Sequence, residues 1–436
     1  MKRVRGPMRR VSLRHAARRT QRGVAALVVT LLLCMSMVLA VAFAQRDIAA
    51  EEQRSADDYR AAQAFEAAEA GLEWALARVD DPTRIDAQCR PSGDVTARSW
   101  RERMLHVAAP AGNLAPATWS DAGVATPLRS ACARDASGWH CSCPSDGPAG
   151  LPPLEGPATA PAFTVELATG PRAGLVRVIA RGCTRFDASE GCATSASTGR
   201  EASARHEAMW AWVPVLRSLP AAALTVRGDV LAGAAALGVG NADRASAGLA
   251  LHAGGRIDAS ALRLLAPTGS ALGASIASGD VELAALSANR FFARRFGMEP
   301  EAWSRQPGVA RLACTVDCAA AVAAAIDAGR RRIFVDGDLE LAGPLQIGSD
   351  AEPVALVASG AIRLSADVVI AGVVYGASLD WNDARAGSAG IRGAALVGGD
   401  YRGDGAPDLV HDDAVLTSLK AREGSFVRIN GSWKDF

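Results

Sequence analysis

The alternation of hydrophobic and polar positions changes period several times along the chain. Val24 to Ala44 runs 21 residues without a charge, enough at about 1.5 Å per residue to cross a hydrocarbon core about 30 Å thick. Nothing after it breaks a helix: Asp47 to Val79 is rich in Ala, Glu, Gln and Arg, and the first proline beyond the apolar run is Pro82. Phe65, Ala68, Leu72, Ala75, Leu76 and Val79 recur at three- and four-residue spacing. One helix from Val24 to about residue 80 is therefore predicted, with a membrane-spanning half (24–44) and an amphipathic half (45–80).

Asp80 to Pro161 is rich in Ala, Pro, Gly and Ser and holds no sustained period, so it reads as loop stapled by cysteines. Beyond it, Phe163 to Ala168 alternates and Leu175 to Ala180 is a β-branched run, separated by the turn-like TGPRAG; the two predict a hairpin. Arg205 to Val215, with Met209, Trp210 and Trp212, predicts a further strand. The region 81–218 is thus expected to form a small antiparallel sheet.

From about Ala221 the composition shifts to Gly, Ala, Leu and Val, and short self-similar units appear: GDVLA at Gly228, GGRIDA at Gly254, GDVELA at Gly279, GDLELA at Gly337 and GAIRLS at Gly360. Glycine corners with alternating Val, Leu or Ile between them predict stacked coils, a right-handed β-solenoid or single-stranded β-helix over 219–436, with a β-sandwich as the alternative. A helical insertion, 287–329, interrupts them. Ser287 is placed to cap a helix through Phe291, Phe292 and Phe296 to Gly297, and Thr315 to cap a second from Asp317 to Ala328, ending at Gly329. The overall expectation is an α+β fold.

Charge sharpens this picture. The chain carries 47 Lys and Arg against 46 Asp and Glu, but residues 1–23 hold nine cations and no acid, leaving 38 against 46 and a body near −8. Lys420 and Lys434 are its only lysines after that block. Nucleic acid is excluded as a main partner, because backbone binding needs clustered cations. The basic block should stay cytoplasmic, which puts everything after Arg46 on the far side of the membrane. Besides Cys34 in the apolar run, eight cysteines remain: Cys89, Cys132, Cys141, Cys143, Cys183, Cys192, Cys314 and Cys318. An even set in an oxidising compartment reads as disulfides, and their C-x-C, C-x8-C and C-x3-C spacings do not suit zinc. Local pairing predicts Cys183 with Cys192 and Cys314 with Cys318; the order among Cys89, Cys132, Cys141 and Cys143 stays open.

Three readings compete for the amino-terminal segment: a signal peptide removed at Ala42-Phe43-Ala44, a plain signal anchor, or a processed subunit of a filament. The stretch RGVAALVVTLLL, followed by EEQRSADDYRAAQAFEAAEAGLEWA, resembles the amino-terminal region of PilX-type minor pilins of the type IV pilus, in which QRG precedes an apolar helix and a segment like AFEAAEAGL (Ala64 to Leu72) follows it. The tail GSWKDF, Gly431 to Phe436, is similar to the family's usual ending. The resemblance implies cleavage by a prepilin peptidase after Gly23 and methylation of the new amino group of Val24. It also implies a filament-core helix presenting Val24, Leu27, Val28 and Leu31. Major pilins carry a glutamate at the fifth mature position, where it neutralises a neighbour's terminal amine; here that position is Val28. An unpaired ammonium in an apolar bundle is costly, so the missing carboxylate favours the initiating or tip position. The partners implied are other minor and major pilins, the prepilin peptidase, the inner-membrane assembly platform and a tip adhesin. A type II secretion pseudopilin is the near alternative, and a membrane-anchored carbohydrate-binding or carbohydrate-cleaving β-helix the distant one.

No catalytic constellation is predicted. His206-Glu207 opens like H-E-x-x-H, but Trp210 stands at the second histidine. Gly238-Val239-Gly240 does not complete a dinucleotide fingerprint, Asp336 and Asp338 read as corner residues, and Arg402-Gly403-Asp404 as a chance tripeptide. Asp404, Asp408, Asp412 and Asp413 cluster in DGAPDLVHDD, and the first three form a weak calcium candidate whose spacing does not match an EF-hand. No cofactor is expected.

Overall fold

The computed structural model describes residues 21–94, 96–108, 113–151, 160–187, 191–192, 201–233, 237–243, 245–258, 262–265, 272–314 and 317–435. The fold is α+β. It divides into two compact units, Met1–Ala62 and Gln63–Phe436. The long helix is Gln21–Val79.

In the larger unit, the antiparallel sheet is built around Ser203–Pro214, which pairs with Leu175–Cys183 on one side and with Gly424–Arg428 and Lys434–Asp435 on the other. Ala162–Thr169, Arg129–Asp135 and Gly138–Ser142 continue it outward. The expected hairpin and strand are therefore present, but the region expected to be loop is not. It holds the short helix Trp100–Met104, two small hairpins (Leu105–Ala108 with Asn113–Pro116, and Thr118–Asp121 with Val124–Pro127) and two full strands of the sheet. In Arg129–Asp135 four consecutive residues are buried, so no alternation marks it. The last strands also belong to this sheet, so the stretch 219–436 is not one region: the chain leaves the sheet after Pro214 and rejoins it at Gly424.

Between those points lies a β-solenoid with three faces, every strand pair parallel, which sets aside the sandwich. The first face stacks Arg332–Asp336, Val354–Ala358, the second half of Val368–Gly376, the second half of Gly390–Val397, Leu224–Val226, Leu251–Ala253 and Ile276–Ala277. Leu339–Ala342, Ala361–Ser365, Ser378–Asn382, Tyr401–Gly403 and Val230–Ala232 form the second face. The third runs Leu345–Ile347, the first halves of the same two long strands, Asp408–His411, Leu237–Asn241 and Leu262–Leu265. Stacking order and chain order differ. The chain enters in the middle at Leu224, winds to one end near Ile276, crosses to the other end at Ala310–Ala313, and winds back until Gly390–Val397 and Asp408–His411 meet the entry coil.

The crossing is helical. Val281–Ala284, Ala288–Phe296 and Pro300–Ser304, with Asp413–Arg422 later, cover the outside of the first face. Phe291, Phe292, Phe296, Trp303, Leu416 and Leu419 pack there on Phe334, Val357, Val373, Tyr375 and Leu396. Covered inside and out, that face reads as unbroken apolar runs such as VALVA, whereas the uncovered second face alternates, as in LELA. Ser287 caps its helix by accepting from the Arg290 N–H, and Gly297 ends it, both as expected from sequence. The second predicted helix is Ala319–Asp327, with Cys318 at its N-cap; Thr315 lies outside the described residues. Cys318, Val322 and Ala325 join the solenoid core from its end coil, the position where a repeat array needs a cap. GDVELA at Gly279 is not a strand: Asp280 accepts from the Glu282 and Leu283 N–H groups and starts a helical turn instead.

The Gly-Asp corners stitch coils together. Asp400 Oδ1 accepts from Asp229 N at 3.0 Å, Asp229 Oδ1 from Arg256 N at 2.7 Å, and Asp338 Oδ1 from Ala361 N at 2.9 Å. In each case the carboxylate lies over a glycine of the next coil, Gly228, Gly255 or Gly360, where a Cβ would sit about 2 Å from it. The two long strands bend between faces at Gly372 (φ +136°) and Gly393 (φ +132°), a backbone state L side chains rarely adopt.

Candidate assembly helix and its cradle

Within the smaller unit, the span from Val24 turns its large side chains outward: Val24, Leu27, Val28 and Leu31 are all half or more exposed. Its few hydroxyls are satisfied inside the helix, Thr30 donating to Leu27 O at 2.9 Å and Ser36 to Leu33 O at 2.8 Å. A helix so composed meets the length and hydropathy needed to cross a membrane. Gly23 lies in its first turns, and residues 1–20 are outside the described set.

Gln63–Val79 is held in a different way. Ala64, Ala67, Ala68, Gly71, Leu72, Ala75 and Val79 are buried, a stripe rotated slightly from the one read in sequence, and Phe65 stays about a third exposed. The small residues allow backbone contact. A Cβ at Gly182 would lie 2.0 Å from Ala64 O and 2.3 Å from Ala68 N, and one at Gly71 would press on Phe163 and Ala180 at 3.1 and 3.2 Å. Helix and strand Leu175–Cys183 therefore touch main chain to main chain, and Leu72, Val79, Trp100, Phe163, Val165, Val178 and Trp210 fill the space beside that contact.

The carboxy-terminal tail closes the cradle. Trp433 stands edge-on to His206 at 5.2 Å, and Phe65 edge-on to His206 at 4.4 Å. His206 is fully buried, and neither ring nitrogen has a hydrogen-bond partner. Burial holds its imidazole below the ordinary value, against the pull of Glu69 and Asp435. It sits on a strand beside Glu207, which pairs with Arg177 and Arg205, so nothing of a zinc motif remains.

At the end of the helix, Asp80 accepts from the Phe426 N–H with both oxygens, at 3.0 and 3.1 Å. Nearby, Arg332 of the solenoid donates to Ser425 Oγ and faces Glu423 at 3.5 Å. Burial pushes the Asp80 carboxyl up to about 6, with Arg332 and the Phe426 N–H pulling the other way, and holds the Arg332 guanidinium down to about 10. This buried knot ties helix, returning strand and solenoid. Nothing in the spacing of residues 80, 332 and 423 announces it.

The cysteines are joined as Cys89–Cys143, Cys132–Cys141, Cys183–Cys192 and Cys314–Cys318, leaving Cys34 free and exposed. Cys132 and Cys141 stand directly opposite on neighbouring strands around the turn at Asp135-Ala136-Ser137-Gly138, and that turn was the signal for the missed hairpin. Ser99 and Glu102 form a capping box on Trp100–Met104, a second legible signal.

The acidic candidates are dispersed. Asp408 pairs with Arg263, Asp412 caps a helix and meets Arg392 at 3.0 Å, and Asp404 donates its backbone N–H to Asn382 Oδ1 at 3.2 Å. Asp336 faces Arg311 and Asp338 faces Arg363, so these carboxylates are not a pair. Among the described residues no group of three or more His, Cys, Asp or Glu stands together that would hold a metal. Arg402 pairs with Asp400, the residue just before its strand, at 2.9 Å.

No family model matches the chain, and no curated protein does. Among solved structures it is similar to the crystal structure of competence-associated pilin ComZ from Thermus thermophilus, at 11% identity over 86% of this chain and 97% of that one, with a TM-score of 0.23. A superposition at that score carries no argument about fold or role.

Proposed function

We propose that the chain is a minor pilin of the PilX type. It would be cut by a prepilin peptidase between Gly23 and Val24, methylated on Val24, and incorporated at the initiating or tip position of a type IV pilus. Its role is assembly. The observation that carries this reading is the contrast within one helix: Val24 to Ala44 bears exposed, uncharged apolar side chains, while Gln63–Val79 is cradled by small residues on an antiparallel sheet. The first part supplies a surface that gains by leaving lipid for other apolar helices; the second fixes a globular head to it. With Val28 at the fifth mature position, no carboxylate neutralises an incoming terminal amine, which supports the tip over the shaft. The partners are other pilins, the inner-membrane assembly platform and a tip adhesin, with the head in the periplasm before assembly. The same features suit a type II secretion pseudopilin, and the neighbouring genes separate the two.

Gly23→Val tests the reading. The variant should insert in the membrane but retain its basic leader, and its mass should exceed that of the wild type by the residues up to Gly23. A wild-type chain that itself keeps those residues, or a variant that assembles normally, refutes the proposal.

A further inference from the structure

A cavity of about 490 Å³ opens beside the helix, within the range of small-ligand sites. Its wall is aromatic. Phe163 lies between Trp74 and Trp139, with ring centroids 5.8 and 5.5 Å away and planes tilted by 53° and 48°. Trp139 is 48% exposed at the mouth, on the edge strand of the sheet, so a ligand that covered it would remove a large apolar surface from water. The rim is cationic. Arg78 extends over the Trp74 ring at 5.9 Å and meets Asp81 only at 3.8 Å. The Arg90 guanidinium and the Gln88 amide carry no hydrogen bond or ion pair among the described residues. In a body that is net acidic, no Asp or Glu among the described residues lines this cavity.

An aromatic wall with an unspent guanidinium at its edge selects a ligand that has an apolar face and a carboxylate on its perimeter. A sugar ring offers C–H groups to stack on indole, hydroxyls for a side-chain amide, and, when it is a uronate, a planar carboxylate that matches the guanidinium fork. We propose that this cavity binds a uronate unit of an acidic polysaccharide, its C–H face on Trp139 and Trp74 and its carboxylate on Arg90 and Arg78. The site is built from residues of Gln63–Phe436, with Trp74 and Arg78 on the cradled part of the long helix, and the proposal does not rest on the assembly reading.

The test uses the full chain in lipid nanodiscs, titrated calorimetrically with tri-galacturonate and with the neutral trimer made by reducing its carboxyl groups. The acidic trimer should bind saturably and roughly ten-fold more tightly than the neutral one, a difference of about 1.4 kcal/mol. Arg90→Gln should reduce that preference roughly three-fold, weakening the acidic trimer more than the neutral one because Arg78 remains, and Trp139→Ala should weaken both by roughly ten-fold or more. Both side chains are exposed, and unchanged thermal melting of the variants shows that the fold is kept. Absence of saturable binding, equal affinity for the two trimers, or variants that bind like the wild type would each overturn the assignment.

Discussion

At Gly182 the absence of a side chain is what lets the helix backbone rest on the sheet. Gly182→Ala puts a methyl 2.0 Å from Ala64 O, and neither main chain is a flexible tip that swings aside. The expected loss is about 2–3 kcal/mol of unfolding free energy, read from urea titration in micelles by tryptophan fluorescence; a variant as stable as wild type would mean that the contact is looser than described. Asp80 belongs to the same scale. Its carboxyl is raised from 3.8 to about 6 on folding, so the folded chain holds that proton more tightly than the unfolded one. Its contribution to stability is fully present below about pH 4 and is lost as the pH rises through about 6, by at most about 3 kcal/mol. Asp80→Asn, neutral throughout, should remove this fall, so the difference between wild type and variant should change across pH 4 to 6 and be flat above about 7. A difference that does not vary with pH would sink this account.

Among the elements, the solenoid strands were the most legible, and for a physical reason. The uncovered second face alternates, the helix-covered face reads as unbroken apolar runs, and the Gly-Asp pairs at Asp229, Asp338 and Asp400 mark corners where a carboxylate takes the next coil's N–H. Asp338→Ala should therefore cost about 1 kcal/mol, by losing the bond from Ala361 N and leaving Arg363 without that carboxylate, while a change at the nearby Asp336, whose carboxylate accepts from exposed Arg311, should cost less. Comparing the two melting curves checks this. The same motif misled at Gly279, where Asp280 caps a helix and Val281 is left 77% exposed. The hairpins between residues 105 and 142 were missed because their strands are short or buried on both sides, so local period carried no sign of them. The helix was legible in extent, Gln21–Val79 against the expected start at Val24, but the cradle was not. Small residues such as Ala64, Ala68 and Gly71 look like propensity until Gly182, more than a hundred positions away, is placed against them.

For the whole molecule, the missing information is the order of coils. The junction of Gly390–Val397 with Leu224–Val226 joins segments far apart in sequence, and no repeat period records it. The solenoid is an insertion between adjacent sheet strands: Pro214 and Gly424 face each other across one antiparallel pair. Among the described residues, the core beneath the helix draws only on those before 215 and after 423. Replacing 215–423 by Asn-Gly, a two-residue turn suited to join facing strands, should leave a folded head with Cys89–Cys143, Cys132–Cys141 and Cys183–Cys192 formed. Mapping of disulfide-linked peptides and near-ultraviolet circular dichroism decide it; scrambled pairs would show that the sheet needs the coils in order to fold.

Entry and exit run side by side, Val215 N donating to Glu423 O at 2.9 Å. A protease that clips one surface loop among the coils therefore severs neither piece from the head: the upstream piece remains joined through Pro214 and the downstream piece through Gly424. Shedding this appendage takes two cuts, one at each stem.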